Sequence, residues 1–385
     1  MSLAIGIGAL ALATWIYLVA FRAEVWRVRL DNPPMAPAVW PEVVAIVPAR
    51  DEAETIGAAI GSLLSQDYGG RFTIVLVDDH SSDGTAEIAR HAADGHAGRL
   101  HIIAARPLPP GWTGKLWAVS EGLAAAERVA PEARHVLLTD ADIVHAPDNL
   151  AGLVARVAAG GLDLASLMVR LRCESLAERL LVPAFVFFFA MLYPFVRVNR
   201  DRDPTAAAAG GCMLVRRSAL ARIGGVRAIR DRLIDDCALA AAIKPGGPIW
   251  LGLADGTHSL RRYERPADIW AMVARTAYTQ LRHSPVLLLG CVLAMTVTYL
   301  APPALALAAD GSAAGLGWAA WFAMSASYLP MLHYYSRSPL WAPLLPMVAL
   351  FYLGATLESA RQHWRGRGGQ WKGRAQAVSA GPGKP

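Results

Sequence analysis

Two aspartates one residue apart, Asp140-Ala141-Asp142, follow directly on the apolar run HVLLT, and two adjacent ones, Asp235-Asp236, follow Leu233-Ile234. A carboxylate pair at a strand end suits a hard divalent cation, because Mg²⁺ takes one or two carboxylates and completes its shell with substrate phosphates and water. A plainer reading gives Asp142 the role of capping the turn before Pro147. In the same way Asp235 and Asp236 could open a helix, the first bonding an orphan amide and the second favoured by the helix dipole. Asp78-Asp79 ends another apolar run and can accept a hydrogen bond from a base or a ribose, whereas Ser81, Ser82 and Asp83 suit the cap of the next helix. Pro48-Ala49-Arg50-Asp51-Glu52 ends a further run. No G-x-G-x-x-G follows the first strand and no G-x-x-x-x-G-K-[ST] occurs, which disfavours nicotinamide and P-loop chemistry.

These polar ends need a scaffold that brings them to one edge. Between residues 43 and 170, strand-length runs alternate with helical patterns: VVAIVP at 43–48, TIVLVDD at 73–79, LHIIAA at 100–105, HVLLTD at 135–140 and DLASLMV at 163–169. Such alternation predicts an α/β fold with crossover helices, and ligands in open sheets of this kind bind beyond the carboxyl ends of the strands. Downstream, Gly210-Gly211-Cys212-Met213-Leu214-Val215 predicts a glycine turn entering a short strand, and Ile223-Gly224-Gly225 a tight turn.

Around this domain the composition changes. The chain is 54% hydrophobic and 18% charged over 385 residues, against about 45–50% and about 25% in soluble domains. Residues 1–21 carry no charge and residues 286–357 only Asp310 and Arg337, so the expected organisation is an anchor at 1–21, a domain at 22–285, a membrane block at 286–358 and a basic tail at 359–385. Residues 3–21 are long enough for one crossing and are followed by Arg22, Arg27 and Arg29, which predicts a retained anchor with the N-terminus outside and the domain in the cytoplasm. Three stretches follow the domain, 286–309, about 313–332 and 340–357; a cytoplasmic tail requires that one of them not cross, and 340–357, with Pro343 and Pro346 and marginal length, is the one expected to be re-entrant or interfacial. Residues 180–196 (LLVPAFVFFFAMLYPFV) are short for a span and contain Pro183 and Pro194, so an interfacial or buried helix is expected. The net charge of +6 equals the basic residues Arg361, Arg365, Arg367, Lys372, Arg374 and Lys384 of the acid-free tail. That pattern marks a cytoplasmic flank on anionic lipid rather than a nucleic-acid groove. The four cysteines are scattered without paired spacing, so neither a zinc site nor a disulfide framework is expected and a reducing compartment is the simplest setting.

Taken together, VAIVPARDE, VDDHSSDGT, GWTGKLWA, LLTDAD, GGCMLVRR with IGG, IDDCALA and WKGR, in this order, resemble the inverting family 2 glycosyltransferases. Their nucleotide-sugar-binding fold is called GT-A, a Rossmann-like α/β domain with a mixed, mostly parallel sheet. GWTGKLWA, PAFVFFFAMLYPF and the C-terminal apolar block are similar to the hopanoid-associated branch. The resemblance implies hexosyl or N-acetylhexosaminyl transfer from a nucleotide sugar, UDP-linked, to a lipid acceptor such as a hopanoid at the inner membrane, with Mg²⁺ or Mn²⁺. It puts Pro48, Arg50 and Glu52 beside the nucleotide, Asp79 on the uracil edge, Lys115 near the diphosphate, and Asp140 and Asp142 in the family's D-x-D, the second as metal ligand. Asp236 takes the place of the catalytic aspartate and Asp235 of its acidic neighbour, where Glu is usual. Related membrane enzymes carry Q-x-x-R-W; here Thr279-Gln280-Leu281-Arg282-His283 has Thr279 and His283 at the ends, and Gln280 and Arg282 are assigned to the diphosphate and acceptor region. The rival readings are a processive polysaccharide synthase, which needs that Q-x-x-R-W, and a non-catalytic nucleotide-sugar-binding scaffold, against which both acidic motifs argue.

Overall fold

The apolar runs become strands within a residue or so of their expected ends: β1 (Val43–Ala49), β2 (Phe72–Asp78), β3 (Leu100–Ala104), β4 (His135–Thr139) and β6 (Leu164–Arg170). Three more complete the sheet, β5 (Ile143–Val144), β7 (Cys212–Arg216) and β8 (Ile249–Ser259). The computed structural model describes residues 3–366 other than 23, 25 and 97, together with 370, 371, 374 and 375. The chain divides into two units. One, residues 29–171, 198–261 and 370–385, contains the sheet; the other, residues 1–28, 172–197 and 262–369, contains the long apolar helices.

In the sheet unit the strand order is β3-β2-β1-β4-β7-β6-β8-β5. β3, β2, β1 and β4 run parallel, as do β6 and β8, while β7 is antiparallel to both its neighbours and β5 is antiparallel to β8. Every residue of β1 is buried, as is every residue of β4, which is why their sequences are continuous apolar runs rather than alternating ones. The connecting helices are α2 (Ile56–Leu64), α3 (Thr85–Ala92), α4 (Gly114–Val129), α5 (Asn149–Gly160), α8 (Arg217–Arg222) and α9 (Asp235–Ile243). The core that holds the strand ends in place joins Val43, Ala45, Val47, Ile60, Ile74, Leu76, Leu137, Leu153 and Leu214.

The helical unit is built from α1 (Leu3–Ala20), α6 (Leu176–Leu192), α10 (Pro266–Gln280), α11 (Pro285–Met295), α12 (Ala301–Ala308), α13 (Gly311–Tyr334) and α14 (Leu345–Trp364), with α7 (Phe195–Val198) after α6. A π-helical turn, Thr296–Leu300, joins α11 to α12. Among the described residues, Leu3–Ala20, Pro285–Ala308 and Pro339–Trp364 are long and apolar enough to cross a membrane. The ranking of the last two C-terminal stretches differs from the expectation. Residues 340–357 belong to a helix that qualifies, whereas α13 is long but diluted by Trp318, Trp321, Tyr328, His333 and Tyr334.

The run expected at 180–196 forms a helix four residues earlier. Ser175 and Glu178 make a capping box at its start, and Tyr193-Pro194 ends it. Glu178, with no exposed surface, also accepts from the Tyr263 N–H and pairs with Arg172. Val186, Phe187 and Ala190 are buried, and Phe187 packs edge-on against Tyr328 of α13. Of the two forms expected for this run, a packed helix therefore describes most of its surface, with Leu176 and Leu192 exposed. In the WKGR motif Trp371 and Arg374 pair across a two-residue antiparallel ladder; Lys372 and Gly373 lie outside the described residues.

Candidate active site

The strand ends converge as the topology requires. An open cleft of about 340 Å³ is lined by Pro48 from β1, Thr139 and Asp140 from the end of β4, Lys115 and Leu116 from α4, Gly210, and Asp235 and Leu239 from α9. Lys115 stands in the first turn of α4, whose start is set by Thr113: its hydroxyl accepts the Leu116 N–H. From there its ammonium reaches Asp140 Oδ1 at 2.9 Å and Asp235 Oδ2 at 3.1 Å. Burial opposes the charge on Lys115, but Asp140 and Asp235 outweigh it and hold the pKa above the usual lysine range. Lys115 thus ties the two acidic motifs to each other.

Asp236 is fixed by the backbone. Its Oδ2 accepts the Gly210 N–H at 2.9 Å and its Oδ1 the Cys237 N–H at 2.7 Å. A Cβ at 210 would sit 3.3 Å from the Lys115 ammonium and 3.4 Å from this carboxylate, a close fit beside the two charged groups. Burial, and then the neighbouring charge of Asp235, push Asp236 up to about 6, against the opposing pull of Lys115. The plainer reading, Asp235 as a helix cap, does not hold. The cap position is Ile234, without a side-chain bond, and Asp235 faces Lys115.

Asp142 is 6% exposed, and its Oδ2 accepts from the Ser259 hydroxyl at 2.8 Å and lies 3.2 Å from Arg261 Nε. The other end of that guanidinium reaches Glu52 Oε1 at 2.8 Å. Asp79 is 1% exposed, and Arg50 donates to its carbonyl at 2.6 Å and lies 3.6 Å from its carboxylate. The loops after β1 and β2 interlock. Asp51 and His80 both adopt positive φ, a region these residue types visit more readily than most, and Asp51 accepts the Ser82 N–H while its own N–H donates to Ser81. Behind the cleft, His145 accepts from Asn149 on Nδ1 and bonds Thr139 through Nε2, and burial lowers its pKa to about 3, so it is a neutral brace of the D-x-D loop.

The sheet unit thus holds Pro48, Arg50, Glu52, Asp79, Lys115, Asp140, Asp142, Asp235 and Asp236, with Arg261 added. Gln280 and Arg282 belong to the helical unit, where Gln280 donates to the Tyr193 hydroxyl at 2.6 Å and Arg282 has positive φ. Sequence reasoning missed Ser259 and Arg261 because nothing in THSLRRYER distinguishes one arginine from the next; β8, interrupted by Gly252, Asp255 and Gly256, was not read as a strand.

Residues 44–224 match the family model described as Glycosyl transferase family 2. The match covers just under half of the chain. Two curated relatives are similar over part of their length. An N-acetylglucosaminyltransferase of Mesorhizobium japonicum is 29% identical over 190 residues, covering 47% of this chain and 41% of that protein. The succinoglycan biosynthesis protein ExoO of Rhizobium meliloti is 34% identical over 169 residues, covering 40% and 44%. The chain therefore spans less than half the length of either relative. Among solved structures, the mannosyltransferase PcManGT from Pyrobaculum calidifontis, in complex with GDP-Man and Mn²⁺, aligns over 93% of this chain and 99% of its own with TM-score 0.55 and 20% identity. This likeness agrees with the expected fold: the sheet unit has the GT-A fold with a mixed, mostly parallel sheet.

Proposed function

We propose that the protein is a membrane-anchored, inverting glycosyltransferase that moves a sugar from a nucleotide sugar, UDP-linked, to the hydroxyl of a lipid, a hopanoid being the acceptor its sequence resemblance favours. The observation that carries this reading is Asp236, raised to about 6 by burial and by Asp235, and held against Gly210 of the cleft lining. A carboxylate of that basicity takes the proton as the acceptor oxygen bonds the anomeric carbon and the bond to the diphosphate breaks, leaving inverted product and nucleoside diphosphate. Lys115 limits how far burial and Asp235 raise Asp236 and offers a charge near the departing phosphate.

Among the described residues no group of three or more His, Cys, Asp or Glu side chains could hold a metal ion. The donor set nevertheless suits a Mg²⁺ or Mn²⁺ that brings phosphates of its own: Asp140 and Asp142 leave one strand end, and Asp142 has its Oδ1 beyond the bonds made by Oδ2. When bound, such an ion neutralises charge developing on the diphosphate.

Radiolabelled nucleotide sugars given to the full chain with a lipid extract should yield label in chloroform-soluble material on thin-layer plates. Chelator should abolish it, Mg²⁺ or Mn²⁺ should restore it, and Asp142→Ala should block the rescue. Label in water-soluble polymer would instead indicate a polysaccharide synthase, and full activity in chelator would remove Asp142 from a metal site. The pH profile gives a separate expectation. Because the base must be ionised, kcat/KM should fall as pH drops through about 6. Lys115→Met removes a charge that favours the ionised form, so the acid limb should move to higher pH, by about one unit for each ~1.4 kcal/mol lost. An unmoved limb would mean that the titrating group is elsewhere.

A further inference from the structure

The carboxylate at the second position of the D-x-D pair already has a cation. We infer that Arg261 is an internal counter-ion that competes with the divalent ion for Asp142, so that the ion binds weakly alone and firmly only together with the nucleoside diphosphate. The inference rests on the metal-assisted reading above.

Arg261 owes its place to the backbone rather than to a long side chain reaching out. β5 pairs with the end of β8, setting Ile143 opposite Ser259. The Leu260 N–H then donates to the Asp142 carbonyl at 2.8 Å, and the Ser259 hydroxyl accepts the Arg261 N–H at 3.1 Å while donating to Asp142 Oδ2. This wraps the chain over the D-x-D loop and sets the guanidinium between two carboxylates, 3.2 Å from Asp142 and 2.8 Å from Glu52. Their side chains are 8% and 12% exposed, so both need a charge partner, and the planar fork of arginine serves two carboxylates at once as a lysine cannot. A divalent ion arriving alone meets a like charge and finds Oδ2 occupied. One arriving with a diphosphate brings negative charge that offsets Arg261.

A purely orienting role and a competing role differ in sign. If Arg261 only steadies the carboxylate, its loss weakens metal binding; if it competes, its loss strengthens it. The test is Mn²⁺ binding by electron paramagnetic resonance to the full chain in lipid nanodiscs, with and without UDP. Arg261→Gln should tighten Mn²⁺ alone at least about tenfold, equivalent to about 1.4 kcal/mol, and the gap from the natural protein should narrow with UDP present. Arg261→Lys, which keeps the charge but spans one carboxylate, should tighten it by less and serves as the reading if the glutamine variant does not fold. Unchanged or weaker Mn²⁺ binding in a folded Arg261 variant overturns the inference. An Asp142→Asn variant that still binds Mn²⁺ normally with UDP overturns the metal site itself, so the two failures are told apart.

Discussion

Asp236→Asn lowers turnover by about two to four orders of magnitude, the typical contribution of a positioned general base, while donor affinity changes only a few-fold. The split follows from the geometry. Both carboxylate oxygens accept backbone N–H groups, from Gly210 and Cys237, so the group is held in one orientation with its basicity raised by burial. The amide replacement keeps the volume and removes the proton acceptor, but it sets an NH₂ against one of those N–H donors, a local cost of about 1–3 kcal/mol for the unsatisfied group. Melting temperatures of the two proteins therefore have to be compared beside the kinetics. Single-turnover rates and calorimetric binding of UDP separate chemistry from binding. An equal loss in both would show that Asp236 organises the start of α9 and does no proton transfer.

What the sequence revealed of this site depends on how its residues are placed. β1, β2 and β4 were legible because buried parallel strands are written as unbroken apolar runs, and the acids that end them stand out against those runs. The partners of those acids were not legible. Lys115 was assigned to the diphosphate on resemblance, yet its contacts with Asp140 and Asp235 arise only when α4 and α9 flank the end of β4, a long-range arrangement with no local pattern. Arg261 and Ser259 follow from the antiparallel pairing of β8 with the two-residue β5, a strand too short to leave a periodic trace. The sharp turn at Asp51 and His80 was similarly hidden, because positive φ at non-glycine residues is dictated by the interlocked loops rather than by residue type alone. The helix at 176–192 shows the reverse case. Its capping box is plain in Ser175-Leu176-Ala177-Glu178, but the apolar run drew attention past it to residue 180.

A cysteine placed at Ala380 should resist a membrane-impermeant thiol reagent in intact cells and label after lysis, with the four natural cysteines replaced and Asp310→Cys serving as the externally labelled control. Three basic residues after α1 and six in the tail call for both flanks on the cytoplasmic face, but three crossings after the domain would carry the tail outside. The sequence nominated 340–357 as the stretch that fails to cross. Contacts within the helical unit favour the same destination for the tail by another route. Gly8 of α1 abuts Leu305, and Trp15 donates its indole N–H to the Thr298 carbonyl, so α1 runs antiparallel to the 285–308 helix and its end at Arg22 shares a side with Pro285. The last helix ends on that side too: His363 stacks on His283 at 4.0 Å, and the Ser359 hydroxyl accepts the Tyr278 N–H. Its start lies back along α13, where Trp321 donates to the Pro343 carbonyl, so the chain descends α13 and returns before α14 begins. A tail on the side of Arg22 is expected if α13, which is not among the helices long and apolar enough to cross, forms half of a re-entrant hairpin and 339–364 makes the crossing. Labelling of the residue-380 cysteine in intact cells would sink this arrangement, and would leave WKGR as an external basic anchor with no route to the nucleotide.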